Sequence, residues 1–347
     1  MKAAPVVQAL VERDARPLLV HSGQHYDRAL SEVFFEQLHL PQPDLNLGVG
    51  SGTHATQTAA LMIAFEETFA EHDPLRVVVY GDINSTLAAA VVAAKMDIPL
   101  AHVEAGLRSF DRTMPEEVNR IVTDVLSDLH FVTSPEGVDQ LAKEGLSGGG
   151  VHFVGNPMID TLVRFRAELD PEPVRLSLGI DGDYAVVTLH RPSNVDDPAV
   201  AASIVEGLAR VSKSIPIVIA LHPRGRKVLE EAGLGENEGI HVIDPLGYLE
   251  FMSLMSGASL VLTDSGGIQE ETTILQVPCL TLRDNTERPI TVTMGTNRLV
   301  GTDASAIAEA AERALVNPPT GTAPPLWDGQ AGSRIAEILI DDQRGLP

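Results

Sequence analysis

Short apolar runs rich in Val, Ile and Leu alternate with longer amphipathic stretches along most of the chain. In the first half, residues 17–21, 76–80, 99–103, 129–132 and 151–154 read as strands. Between them, residues 31–38, 54–70, 85–95, 116–127 and 135–143 carry a helical period. This strand–helix repetition predicts a parallel sheet, because parallel neighbours need a crossover and the helices then cover both faces. The pattern restarts with strand-like runs at 184–189, 215–220, 239–243, 259–263, 277–282 and 298–300, and with helices that include 199–212 and 265–275. The break falls near residues 165–172, where Asp170-Pro171-Glu172-Pro173 reads as a hinge. The expectation is an α/β protein of two Rossmann-like, doubly wound parallel-sheet domains, residues 1–166 and 167–330. After a Pro-rich stretch, 317–325, a last helix follows at 331–340.

Residues 1–12 are helix-like, with no strand ahead of them. A doubly wound domain ordinarily begins with a strand that ends up central. The first domain is therefore expected to lack its usual first strand, either because the fold tolerates that or because the sequence begins short of its true start. In open α/β sheets ligands bind beyond the C-terminal ends of the strands, so two such domains facing across a cleft would share one site there.

Charge narrows the partners. With 48 Asp and Glu against 25 Lys and Arg, the formal net charge is −23. Such a chain repels nucleic acid and anionic membrane surfaces, so neither is expected as a partner. An anionic substrate would have to be held locally by chosen Arg, His and backbone N–H groups. Aromatic residues make up only 4%, which leaves the cores to Ala, Val, Leu and Ile. Cys279, the single cysteine, lies in an apolar run and reads as a core residue. One cysteine forms no intrachain disulfide, which fits a reducing, cytoplasmic compartment, and no signal peptide or membrane-length apolar segment is found.

Candidate chemistry sits where the runs end. Residues 76–80 lead into Gly81-Asp82, which places Asp82 at a strand tip, although a plain helix cap would also explain an acid there. The next run ends in His102-Val103-Glu104-Ala105-Gly106-Leu107-Arg108. A carboxylate at the end of a buried strand needs a partner, and Arg108 or His102 is in position by sequence. Glu116, after Pro115 at a helix start, suits the helix dipole, with Arg120 one turn on. In the second half, His190-Arg191 at a strand end reads as a phosphate contact or proton relay, with helix capping as the plainer alternative. The segment Thr263-Asp264-Ser265-Gly266-Gly267-Ile268-Gln269-Glu270-Glu271 passes from strand through two glycines to helix. Its exposed N–H groups and the Ser265 hydroxyl suit phosphate oxygens, and Glu271 suits ribose hydroxyls. Arg288, in the polar loop 283–289, is a second cation for a diphosphate, or else pairs with Glu287 or Asp284 at the surface. No G-x-G-x-x-G follows a strand and no P-loop is present, which disfavours nicotinamide and ATP. No His or Cys spacing points to zinc, so no metal is expected.

Taken together, Gly23-Gln24-His25, Gly81-Asp82, residues 102–108, Pro115-Glu116-Glu117-Val118-Asn119-Arg120, 263–271, 283–289 and Asp328-Gly329-Gln330-Ala331 resemble the non-hydrolysing UDP-N-acetylglucosamine 2-epimerases over nearly the whole chain. The resemblance implies a GT-B-like fold, a homodimer, no cofactor, and a last segment, about 331–347, packed back on the first domain. It implies epimerisation at C2 of a UDP-linked 2-acetamido sugar. By position, Asp82, Glu104, Glu116 and His190 match the catalytic residues. Lys2, Arg120, Ser265, Glu271 and Arg288 match substrate contacts, and Gly266, Gly267 and Arg191 stand beside them. Phe251 matches the residue packing on uracil, near the backbone of Leu246. The alternatives are a GT-B glycosyltransferase using a UDP-sugar, or an impaired UDP-sugar-binding homologue. Three departures stand out. The family's opening strand and its Gly-x-Arg-Pro-Glu motif are absent. Ser51-Gly52 replaces the Arg-Gln pair of members activated by their own substrate. His190-Arg191-Pro192-Ser193-Asn194 looks like the archaeal-type and diacetamido-uronate branches rather than the His-Arg-Arg-Glu of the best-known bacterial ones.

Overall fold

The computed structural model describes residues 1–23, 37–38, 40–221 and 223–343. Gln24, His25 and most of the helix expected at 31–38 lie outside the described residues. Contacts divide the chain into two compact units, Met1–Arg164 with Pro325–Pro347, and Phe165–Pro324.

In the first unit, β1 (Val20–His21) pairs in parallel with β2 (Leu45–Asn46) as a separate two-stranded sheet. A four-stranded parallel sheet follows in the order β3 (Val77–Tyr80), β4 (Leu100–Ala105), β5 (Leu129–Val132) and β6 (Val151–Phe153). The alternation of side chains along β3 sorts two cores. Val77 and Val79 join Leu61, Phe65, Phe69, Ala88 and Val92, which come from the helices His54–His72 and Asn84–Lys95. Val78 and Tyr80 pack on the other face, with Val6, Val103, Phe131, Ile335 and Leu339. That second face is covered by the helix Ala3–Val11 and by the C-terminal helix Ala331–Gln343. The two helices approach closely at Gly332, where a Cβ would lie 2.6 Å from the carbonyl carbon of Pro5. Pro115 and Pro135 each open a helix with glutamate in its first turn, as the fixed proline φ and the helix dipole favour.

The second unit holds six parallel strands in the order β12-β11-β10-β7-β8-β9. They are β7 (Ala185–Thr188), β8 (Ile217–Ala220), β9 (Ile240–Ile243), β10 (Leu260–Thr263), β11 (Cys279–Thr281) and β12 (Asn297–Leu299). The chain winds outward from β7 through β8 and β9, then returns to add β10 on the other side. The winding therefore reverses between β7 and β10, the place where open α/β sheets part their loops and bind ligands. Asp170-Pro171-Glu172-Pro173, expected as a hinge, opens the helix Pro171–Ser177 shortly after the division of the chain at Phe165. Asp170 caps it by accepting the Glu172 N–H at 3.1 Å, because proline is well suited to a first helical turn. Cys279 is fully buried, and that burial pushes its thiol up to about 12, which leaves it a packing residue.

Candidate active site

The reversal point in the second unit carries a constellation built around Asp264, which is fully buried one residue past β10. Register pairs Thr263 with Thr188, so the ends of β10 and β7 lie side by side. The Asp264 carboxylate accepts the N–H of His190 at 3.0 Å, the N–H of Arg191 at 3.0 Å and the Asn194 side-chain amide at 3.3 Å. It also lies 2.9 Å from His190 Nδ1. A carboxylate that holds Nδ1–H turns Nε2 outward and fixes the ring's orientation. The His190 side chain is 51% exposed.

Next to it begins the helix Gly266–Leu275, with Ser265 as its N-cap. The Ser265 hydroxyl makes no capping bond to the first N–H groups of the helix. The lack of a side chain at Gly266 also has a structural use. A Cβ there would stand 2.3 Å from Arg288 Nη1 and 2.7 Å from its Cζ. The missing side chain makes room for a guanidinium of this chain. Arg288 is buried rather than at the surface, paired with Glu287 at 2.6 Å and Glu270 at 2.8 Å. Glu287 also pairs with Arg283 at 2.8 Å and Arg191 at 3.3 Å. Burial alone would raise the Glu287 carboxyl, but Arg288, Arg283 and Arg191 together hold it well below the carboxylate range. A helix start thus sits against three guanidinium groups clustered on one carboxylate. Gly267 is half-buried at the second helical position. Further along, Glu271 is buried and accepts the Tyr248 hydroxyl at 3.3 Å. Burial, with Glu271 adding to it, pushes that hydroxyl above its ordinary range. Leu246 and Phe251 are half-buried, just before and within the helix Tyr248–Ser256.

The first unit carries the acids. Glu104 sits in a bulge of β4, where the register to β5 shifts between Val103 and Ala105, and its φ is +73°. A non-glycine residue in this region is strained, and a bulge re-aims its side chain. The Glu104 carboxylate accepts from Lys2 Nζ and lies over Gly81, where a Cβ would stand 3.2 Å from Oε2. The expected partners, Arg108 and His102, are not its partners. Arg108 binds Glu144 and stands 2.7 Å from Asp124, while His102 pairs with Asp124 at 2.6 Å. Burial would raise the Asp124 carboxyl, but His102 and Arg108 more than offset this and hold it low. Asp82 accepts from Arg120, whose other nitrogen donates to Glu117 at 2.5 Å. The expected Arg120–Glu116 pair is therefore also corrected. Glu117 is the buried acid, accepting the N–H groups of Ser109 and Phe110 at 2.9 Å each. Glu116 is half-buried, and among the described residues no hydrogen bond or ion pair holds it.

Asp264 and Asp124 are polar supports that sequence reasoning passed over, and Glu287, named there only as a surface partner of Arg288, is buried. Asp264 stands in the 263–271 segment, but its partners arrive from a strand about 75 residues earlier in the chain.

A profile of the UDP-N-acetylglucosamine 2-epimerase family matches residues 8–340. The UDP-N-acetylglucosamine 2-epimerase of Methanocaldococcus jannaschii is 43% identical, covering 98% of this chain and 95% of its own length. The UDP-2,3-diacetamido-2,3-dideoxy-D-glucuronate 2-epimerase of Pseudomonas aeruginosa is also 43% identical, covering 98% and 96%. The crystal structure of the M. jannaschii enzyme in complex with UDP-GlcNAc and UDP matches with a TM-score of 0.92 at 42% identity, covering 98% of this chain and 96% of that one. The match spans both units and their α/β architecture, and the chain belongs to the UDP-N-acetylglucosamine 2-epimerase family of isomerases.

Proposed function

We propose that the chain interconverts the C2 epimers of a UDP-linked 2-acetamido sugar by removing UDP and adding it back. The C2 proton is not acidic while C1 is a saturated acetal carbon. As the C1–O bond stretches, its electron pair leaves with UDP and C1 gains oxocarbenium character. A carboxylate then takes the C2 proton, and the C–H electrons form the C1=C2 bond of a 2-acetamidoglucal. Delivery of a proton to the opposite face of C2, with attack of the UDP oxygen on C1, gives the epimer. Atoms and electrons balance without an oxidant.

Asp82, Glu104 and Glu116 stabilise positive charge at C1 and move the C2 proton, with Lys2 and Arg120 setting the charge around them. His190, Arg191, Arg288, Ser265 and the N–H groups of Gly266 and Gly267 stabilise the departing diphosphate. Glu271 takes the ribose hydroxyls, while Phe251 and the backbone of Leu246 take the uracil. The observation that carries this reading is the uncapped helix start at Gly266, beside an Asp264-held histidine and clustered guanidinium groups. It suits a leaving diphosphate in a chain that otherwise repels anions. No helix among the described residues is long and apolar enough to cross a membrane. The reading takes the protein as a cytoplasmic homodimer acting on a soluble nucleotide sugar, as the family resemblance implies.

The test is incubation with UDP-N-acetylglucosamine alone, followed by proton NMR. The reading expects UDP-N-acetylmannosamine to accumulate. Free N-acetylmannosamine with UDP would mean hydrolysis, and no change without an acceptor would favour a glycosyltransferase or a binding protein. Because the Pseudomonas relative is equally similar, UDP-2,3-diacetamido-2,3-dideoxy-glucuronate belongs in the same assay as the rival sugar.

A further inference from the structure

We propose that His102, held by Asp124, is a positioning residue that fixes the backbones under Asp82 and Glu104, the two acids assigned above. The inference rests on that assignment. His102 and Asp124 are both fully buried. His102 Nε2 donates to the carbonyl of Gly81 at 2.8 Å, one residue before Asp82. Its Nδ1 faces the Asp124 carboxylate at 2.6 Å. Asp124 in turn accepts the N–H of Gly106 at 3.1 Å, two residues past Glu104, and lies 2.7 Å from Arg108. Both ring nitrogens thus face acceptors, the Gly81 carbonyl and the Asp124 carboxylate.

One imidazole–carboxylate pair therefore ties down three backbone points. It reaches the turn just past β3 at Gly81, the strand before the bulge at His102 itself, and the turn just past β4 at Gly106. Glu104 lies between the last two, at φ +73°. A strained residue keeps such a conformation only when its surroundings over-determine it. Gly81 is itself at φ +66°, and its N–H donates to the Val103 carbonyl at 3.0 Å. The tether thus sets how the Asp82 turn lies against the Glu104 bulge. Displacement of a catalytic group by about 1 Å costs on the order of a hundredfold in rate.

A buried pair of this kind could equally serve stability alone, and two variants separate the roles. His102→Gln places an amide donor where Nε2 stood and keeps the tether to Gly81. His102→Asn places the donor where Nδ1 stood, keeping Asp124 and releasing Gly81. The inference expects His102→Asn to lose about a hundredfold in kcat with KM and UDP affinity near wild type. It expects His102→Gln to recover kcat to within about tenfold, whichever variant melts lower. Equal losses that follow the two melting temperatures would overturn it, as would full turnover in a folded His102→Asn. If His102→Asn does not fold, His102→Gln decides alone, since a hundredfold loss of kcat in a stably folded His102→Gln overturns the tether. Asp82→Asn and Glu104→Gln run alongside. Wild-type turnover in both would defeat the assignment of the acids, whereas their loss with an active His102→Asn defeats only the positioning role.

Discussion

Gly266→Ala isolates the second-unit site, because its consequence is set by three distances. The new Cβ would stand 2.3 Å from Arg288 Nη1, 2.7 Å from Arg288 Cζ and 2.8 Å from Glu287 Oε1. Carbon–carbon contact is comfortable only at about 3.5–4.0 Å, so the guanidinium must move by roughly 1 Å. It is not free to do so cheaply, because it is buried and paired with Glu287 at 2.6 Å and Glu270 at 2.8 Å. Overpacking a filled site costs about 1–3 kcal/mol, and full rupture of a buried ion pair about 3–5 kcal/mol. A side chain that shifts while keeping one partner falls in the lower range, so about 2–3 kcal/mol of stability should be lost. The same shift moves a cation away from the helix start. A loss of about 1.4 kcal/mol or more in UDP binding is at least tenfold in Kd. Urea denaturation and calorimetric titration with UDP read the two effects. Gly235→Ala is the control, since no atom lies within 4 Å of a Cβ there and its φ is not in the left-handed region; it should stay within about 0.5 kcal/mol. If Gly266→Ala matches that control in both stability and UDP affinity, the packing argument is wrong.

Asp264→Asn removes the acceptor that orients His190 and places an amide N–H₂ among donors. Turnover should fall at least about a hundredfold, and stability by about 1–3 kcal/mol, measured by steady-state kinetics and denaturation. The Glu287 carboxyl is held below its unfolded value, so the stability it contributes is fully present above the ordinary carboxylate range and is lost as pH falls through and below it. Glu287→Gln should therefore destabilise the protein by about 3–5 kcal/mol near pH 7 and flatten the acid limb of its stability–pH curve; an unchanged acid limb contradicts this. Gly106→Ala puts a Cβ 2.5 Å from the Gly137 carbonyl oxygen at φ +81°. Backbone cannot swing aside as a side chain can, so the cost should reach about 2–5 kcal/mol in thermal or urea denaturation.

The strands were legible because parallel strands buried on both faces carry unbroken apolar runs, as in Val77–Tyr80 and Leu260–Thr263. The same runs place the candidate residues Asp82, Glu104 and His190 at or near strand ends. Ion-pair partners were not legible. Helical spacing favours Arg120 with Glu116, four residues apart. The protein instead turns Glu117 inward, where it gathers the N–H groups of Ser109 and Phe110, and Arg120 follows it and reaches across to Asp82. Lys2 and Glu104 are 102 positions apart, and only the packing of the first helix on the sheet brings them together. Strand order was hidden for the same reason. The return of the chain from β9 to β10 sets His190 beside Asp264, and no local spacing records it. Nor does the sequence record that the space beside Gly266 is taken by Arg288, which arrives from the loop after β11.

The most direct test of the proposed chemistry is deuterium wash-in at C2. The wild-type protein, Asp82→Asn and Glu104→Gln are each incubated with UDP-N-acetylglucosamine in D₂O and followed by proton NMR. The account predicts that the wild type replaces the C2 proton as the gluco and manno epimers interconvert, and that each variant slows replacement by about 10²–10⁴-fold while still binding UDP. Epimers that form with the C2 proton retained, or exchange at the wild-type rate in both variants, would contradict it.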